Sequence, residues 1–161
     1  MAIVVMEIDC PLAPPASLGR ALNFTSGAVN RLAQALLAEH ELQLAQWVVL
    51  SALWRRDGLT TGELARYTGN ALPATSRIID RMVENGLVRR RGDPADRRTV
   101  HVHVTEKGRA HAHLGDFHER LNAILMDGLG EAERTSLFAM LAQVEAKARA
   151  ALDDAAAPLN P

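Results

Sequence analysis

The stretch RRRGDPADRRTVHVHVTEKG, residues 89–108, decides how the rest of the chain is read. Arg89, Arg90 and Arg91 lead into Gly92-Asp93-Pro94, and Arg97 and Arg98 follow it. Glycine, aspartate and proline side by side are turn chemistry. Beyond the turn, Val100, Val102 and Val104 alternate with His101 and His103. A period of two is that of a strand with one buried face. The stretch therefore predicts two short strands joined by a basic tip, held out toward something negative.

Working outward toward the N-terminus, Gly86 stops a helix that begins near Pro73 and runs to Glu84. Proline suits a first helical turn. Ile78, Ile79, Met82 and Val83 are its apolar residues, and Arg77 and Arg81 share another face. Before it, Thr60-x-x-Glu63 is a capping box that starts a short helix to about Tyr67. A further helix covers about Leu44 to Arg56, with Trp47, Val48, Leu50, Ser51 and Trp54 largely inward, and Gly58 ends it. Ser17 caps a long helix to about Glu39, seamed by Leu18, Leu22, Thr25, Val29, Leu32 and Leu36. Residues 1–16 hold Pro11, Pro14 and Pro15 and read as an irregular arm.

Toward the C-terminus, Thr105 caps a helix expected from Glu106 to about Met126, with Leu114, Phe117, Leu121 and Ile124 as its stripe. Gly128 and Gly130 break the pattern. A last helix runs from Glu131 to about Leu152 on a seam of Leu137, Leu141, Val144 and Ala148, and 153–161 reads as a frayed tail. The fold class is mainly α: a winged helix-turn-helix lobe over 44–104, flanked by long helices at 17–40 and 106–152 within one domain over 17–152.

Composition narrows the function. The 161 residues are 48% hydrophobic with a net charge of −1, so no global field draws in nucleic acid. Between Arg77 and Arg98, however, seven arginines face Asp80, Glu84, Asp93 and Asp96, a local +3. A short helix, a turn and an arginine-bearing second helix suit the major groove, and a basic wing suits phosphates or the minor groove. One cysteine, Cys10, allows no internal disulfide. No apolar run spans a bilayer, and the opening residues lack a basic n-region. Gly-x-Ser-x-Gly, P-loop, dinucleotide and Cys-x-x-Cys patterns are all missing, so an enzyme is not expected.

GLTTGELARYTG, TSRIIDRMVENGLVRRRGDPADRRTVHVHVTEKGR and the flanking long helices resemble the MarR family of winged-helix transcription regulators, over about residues 17–150. The resemblance implies a homodimer whose N- and C-terminal helices interlock. It implies that Arg98 enters the minor groove, oriented by the charged hydrogen bond it donates to Asp96. Thr75, Ser76 and Arg77 would form the exposed start of the recognition helix; Arg81, Arg89, Arg90, Arg91 and Arg97 join the expected contact set from the local positive charge alone. One departure stands out. The family often has a capping Ser or Asp just before Pro73, where this chain has Leu72. The helix start then shifts to Asn70, or its first amides are left free for a phosphate.

The resemblance also implies candidate effectors. Family members that respond to aromatic acids place a tryptophan where Trp47 stands, with an arginine one turn later; here that residue is Ser51. Ser17 and Arg20 are the remaining candidates for such a pocket. The zinc-responsive branch uses positions that here include Trp47, and His101, His103, His111, His113 and His118 have no carboxylate or cysteine at ligand spacing in sequence. The peroxide-sensing branch carries its cysteine near Gly19, not at Cys10. The expectation is thus a cytoplasmic, sequence-specific regulator of double-stranded DNA. It would be a homodimeric repressor on a pseudo-palindrome, with no cofactor or metal and no membrane association, relieved by a small aromatic acid. The alternatives are a regulator responding to oxidation or metal, or a helical dimer that does not bind DNA.

Overall fold

The computed structural model describes residues 17–94, 96 and 98–156. The arm at 1–16 with Cys10, the wing residue Arg97 and the tail from 157 lie outside the described residues. Helix α1 spans Leu18–Ala38, and Ser17 Oγ accepts the Arg20 amide at its start. Helix α2 spans Leu44–Arg55 and buries Gln46, Val49, Leu50, Ser51, Ala52 and Leu53. A helix apolar on nearly every side belongs at the centre of a lobe. Gln34 of α1 donates to the Leu42 carbonyl (3.2 Å) and accepts from the Leu44 amide (2.9 Å), fixing α1 to the turn that starts α2.

Three strands and two helices follow: β1 (Leu59–Thr60), α3 (Thr61–Thr68), α4 (Leu72–Glu84), β2 (Val88–Gly92) and β3 (Val100–Val104). The sheet is antiparallel in the order β1-β3-β2. The hairpin expected from the alternation is therefore one strand larger. Strand β1 is too short to show a period, and it exists because Leu59 and Thr60 pair with Val102 and His101. Leu37, Leu50, Leu53, Leu64, Ile79, Met82, Val88 and Val102 are buried at the heart of this lobe. Trp54 Nε1 donates to the Gly108 carbonyl at 3.2 Å.

The strand exit is held by Thr105. Its Oγ1 accepts the Gly108 amide (3.2 Å) to cap α5 (Glu106–Ala110), and it donates toward the Gly86 and Leu87 carbonyls. Gly108 sits so close to the lobe that a Cβ there would lie 2.3 Å from the Leu87 carbonyl oxygen and 2.8 Å from Val104 Cγ2. The Thr-x-x-Gly pattern thus encodes a cap and a close approach together.

The single helix expected over 106–126 is broken. Helix α5 ends at Ala110, His111 takes φ −87°, ψ 4°, and residues Ala112–Leu114 form a 3₁₀ turn. Its bonds are three residues apart, Leu114 to His111 (2.9 Å) and Gly115 to Ala112 (3.0 Å), and Gly115 is a weak helix former there. The chain divides at this break into two compact units, one ending at Asp116 and one starting at Phe117.

The second unit holds α6 (Phe117–Leu125) and α7 (Glu131–Ala156). Gly128 at φ +78° makes the turn between them, a conformation glycine adopts at little cost. Arg134 closes it by donating to the Met126 (3.2 Å) and Leu129 (2.9 Å) carbonyls. Helix α7 continues to Ala156, so residues 153–156 are helical where the sequence suggested fraying. No residue of 131–155 is buried; Phe138 and Met140 are 54% and 55% exposed, and Leu137 and Leu141 are exposed too.

Candidate nucleic-acid interface

Helices α3 and α4 meet through a tight turn. Thr60 Oγ1 accepts the Glu63 amide, and Glu63 Oε2 accepts the Thr60 amide at 2.8 Å, the reciprocal box read from the sequence. The Thr60 amide and hydroxyl hold the Glu63 carboxyl below its ordinary range. Gly69, at φ +69°, ends α3. Helix α4 then starts at Leu72 behind an N-cap, Ala71, that offers no side-chain bond, with Pro73 in its first turn. Asn70 does not cap it, contrary to one of the two expected starts.

Thr75 also departs from expectation. It is fully buried, and its hydroxyl donates to the Ala71 carbonyl at 3.3 Å. Thr75, Ile79 and Met82 are spaced four and three apart and form the inward stripe of α4. Thr75 is therefore removed from the DNA-facing set. Ser76 is half-buried, and Arg77 and Arg81 are exposed on the outer face.

In the wing, Arg89, Arg90 and Arg91 pair with His103, Val102 and His101. Strand alternation places Arg90 on the same side as buried Val88, where its guanidinium forms an ion pair with Asp80 of α4. Arg90 thus ties the wing to α4, a role that a count of charges does not reveal. Arg89 and Arg91 lie on the opposite face and are exposed. At the tip, Asp96 accepts the Arg98 backbone amide (3.0 Å) and the Thr99 hydroxyl (2.8 Å). Both bonds hold its carboxyl below the ordinary range, the Arg98 amide most strongly. Asp96 therefore shapes the tip through the backbone, in place of the expected bond to the Arg98 guanidinium, and Arg98 remains exposed.

The histidines of β3 are anchored. His101 Nδ1 lies 2.8 Å from the Gly58 carbonyl oxygen and Nε2 lies 3.1 Å from Asp93 Oδ2. Both partners only accept, so both ring nitrogens donate when the ring is protonated. Asp93 first, then Gly58, raises the His101 pKa above its ordinary value. His103 Nδ1 lies 3.1 Å from Asp57 Oδ2, and Asp57 Oδ1 accepts the Val104 amide at 2.8 Å. Burial opposes the Asp57 charge, but the Val104 amide and His103 still bring its pKa below the ordinary value. The carboxylates that sequence spacing does not supply arrive through the fold, as hydrogen-bond partners. Among the described residues no group of three or more His, Cys, Asp or Glu is arranged to hold a metal ion.

The proposed pocket residues have separate local roles. Ser17 caps α1, and the Arg20 guanidinium stacks 4.9 Å from the Phe24 ring centre. Trp47 Nε1 donates to the Leu114 carbonyl at 3.0 Å. Buried Ser51 donates to the Val48 carbonyl at 2.8 Å. A cavity of about 650 Å³ does open nearby, but its walls are Asn30, Arg31 and Gln34 of α1, Gln43 to Ala45 and Val48 at the start of α2, and Thr68 and Asn70 before α4. None of the four expected residues lines it.

A short helix, a turn, a second helix with outward arginines and an adjoining basic wing define a winged helix-turn-helix DNA-binding lobe. Residues 42–100 match the MarR family. The multiple antibiotic resistance protein MarR of Escherichia coli K12 is 32% identical over 110 residues, which cover 65% of this chain and 76% of that protein. The uncharacterized regulator YsmB of Bacillus subtilis 168 is 33% identical over 98 residues, covering 61% and 67%. Among solved structures, a mutant E. coli MarR complexed with operator DNA superposes with a TM-score of 0.72 at 29% identity, over 79% of this chain and 92% of that one. Bordetella bronchiseptica BpsR, whose DNA binding is regulated by 6-hydroxynicotinic acid, gives 0.74 at 26% identity, over 84% and 98%. This chain belongs to the MarR family of DNA-binding transcription regulators. Among the described residues no helix is long and apolar enough to cross a membrane.

Proposed function

We propose that two copies of this chain form a cytoplasmic, two-fold repressor that grips a pseudo-palindromic operator and is released by a small aromatic acid. It acts by binding, without catalysis. The observation that carries the DNA reading is the array of exposed arginines. Arg77 and Arg81 stand on the outer face of α4, the Arg90–Asp80 ion pair holds the wing beside that helix, and Arg89, Arg91 and Arg98 are displayed from the wing. Ser76 and Arg77 reach base edges, Arg98 the minor groove, and Arg81, Arg89, Arg91 and Arg97 the phosphates. The apolar residues exposed along α7 support the dimer, because a second copy would bury them.

Two observations support an acid effector. The cavity beside Thr68 and Asn70 adjoins the segment that leads into α4 and has Arg31 among its walls, and we assign to Arg31 the anion-pairing part expected of Arg20. BpsR, a structural relative, responds to an aromatic acid. Such a ligand acts only through its differential affinity for the DNA-fitting and non-fitting states. The test is selection from a random duplex library followed by titration with aromatic carboxylates. A pseudo-palindrome with half-site centres about 10 base pairs apart is expected, with an acid weakening the complex and Arg31→Ala blunting that response. A single asymmetric half-site at saturation contradicts the dimer, and a broad acid panel without effect contradicts the effector.

A further inference from the structure

The leading turn of α4 is chemically unusual for a surface that must read bases. Ala71, Leu72, Pro73 and Ala74 follow one another without a single hydrogen-bonding side chain, and all four are exposed, Leu72 by 55%. The Thr that follows is turned inward and bonded to Ala71. Exposed polar chemistry begins only with half-buried Ser76 and exposed Arg77. Of the first-turn backbone, Pro73 has no N–H and the Thr75 amide is spent on the Ala71 carbonyl at 3.1 Å, which leaves the amides of Leu72 and Ala74. The side chains of this turn are therefore poor hydrogen-bonding readers of base edges.

The lobe's own core does not use Leu72, so folding does not account for it. The helix that begins with Leu72 also displays exposed Arg77 and Arg81, and the Arg90–Asp80 ion pair ties the basic wing to that helix two turns further on. An exposed apolar knob at the start of a helix that displays arginines further along suits a ligand that is anionic along its backbone and apolar at one point. In the major groove that point is the thymine C5-methyl, the one apolar mark on the base edges.

We infer that Leu72, flanked by Pro73 and Ala74, is a specificity-determining residue that reads thymine methyl groups, so that operator half-sites carry thymine beneath the start of α4. This rests on the DNA-binding reading above and goes beyond it by naming the base feature recognised.

The test uses the full-length protein and the duplex selected with it from a random library. Each half-site thymine is replaced in turn by deoxyuridine, which keeps every donor and acceptor and removes only the methyl. Wild-type protein is expected to lose about fourfold in affinity per methyl at one or two positions, the weight of one buried methyl group. Leu72→Ala should bind the thymine duplex more weakly and no longer distinguish it from the deoxyuridine duplex. Arg98→Ala should weaken both duplexes and keep their ratio. Circular dichroism and thermal melts check that Leu72→Ala folds, as its exposure leads one to expect. Equal binding of thymine and deoxyuridine duplexes by wild type at every position overturns this inference while leaving the DNA-binding reading intact. A thymine preference that survives Leu72→Ala, in a folded protein, also overturns it. No binding to any duplex overturns both readings.

Discussion

The winged lobe and helix α7 solve the problem of apolar surface in opposite ways. In the lobe, Leu50, Leu53, Leu64, Ile79, Met82 and Val102 are buried against one another, and the polar groups of the wing are paired through Asp57, Asp93 and Asp96. In α7 no described side chain is buried, and Leu137, Phe138, Met140 and Leu141 stay exposed. A helix of 26 residues with that surface finds no core among the described residues of one chain. The lesson is a division of labour: one region is finished within the chain, and the other is completed, on the proposal made here, by a second copy.

Substitutions can break each side of that contrast. The largest effect is expected from Leu141→Glu, which would place a charge in the proposed dimer interface at a cost of several kcal/mol; sedimentation should show monomers or aggregates. A soluble, DNA-binding dimer would mean that α7 does something else. Gly108→Ala attacks the finished region. Its new methyl group meets the Leu87 carbonyl and Val104, and overpacking of this kind costs about 1–3 kcal/mol, occasionally more, read as a lowered midpoint in chemical denaturation.

Smaller effects sharpen the account of the wing. Arg98→Ala should weaken operator binding by about 1–3 kcal/mol without altering stability. Arg91→Ala should weaken all sequences alike and reduce the salt dependence by about one counterion. Arg90→Ala should behave differently, loosening the wing from α4 and changing sequence preference as well, because its partner is Asp80.

The smallest effect is pH dependence. The raised His101 pKa means that its two anchoring bonds are intact below the ordinary histidine range, and one is lost as pH rises through the folded value above it. Glu63 also favours the charged ring, while Asp57 pairs with the adjacent His103 and lies within 3.7 Å of Arg109. Wing order, followed by the His101 ring signals in NMR, should decline as pH increases, and His101→Gln should flatten the profile. A wing that becomes more ordered with rising pH would contradict this.

Much of the lobe was legible in the sequence because its signals are local. The valine alternation of β3, the Thr60–Glu63 box and Pro73 each act within a few residues. The pairing of Leu59 with Val102, the Asp57 bonds to β3 and the strut from Arg90 to Asp80 join distant segments, so spacing alone does not reveal them. Thr75 is a different case: its four-and-three spacing to Ile79 and Met82 was readable, but the expected exposure of a recognition-helix start outweighed it. The break at His111–Asp116 was hidden because Leu114 and Phe117 also fit a continuous helical stripe.

The central claim, a self-contained reading lobe presented in pairs, is tested most directly by varying the spacing between half-sites of the selected duplex. The measurement is affinity and stoichiometry by fluorescence-detected sedimentation, with half-site centres set at about 10 or about 15 base pairs. The account predicts two chains bound tightly at the shorter spacing, where both recognition helices face one side of the duplex, and a large loss of affinity half a turn out of phase. Equal affinity at both spacings, or one chain bound per site, would contradict it.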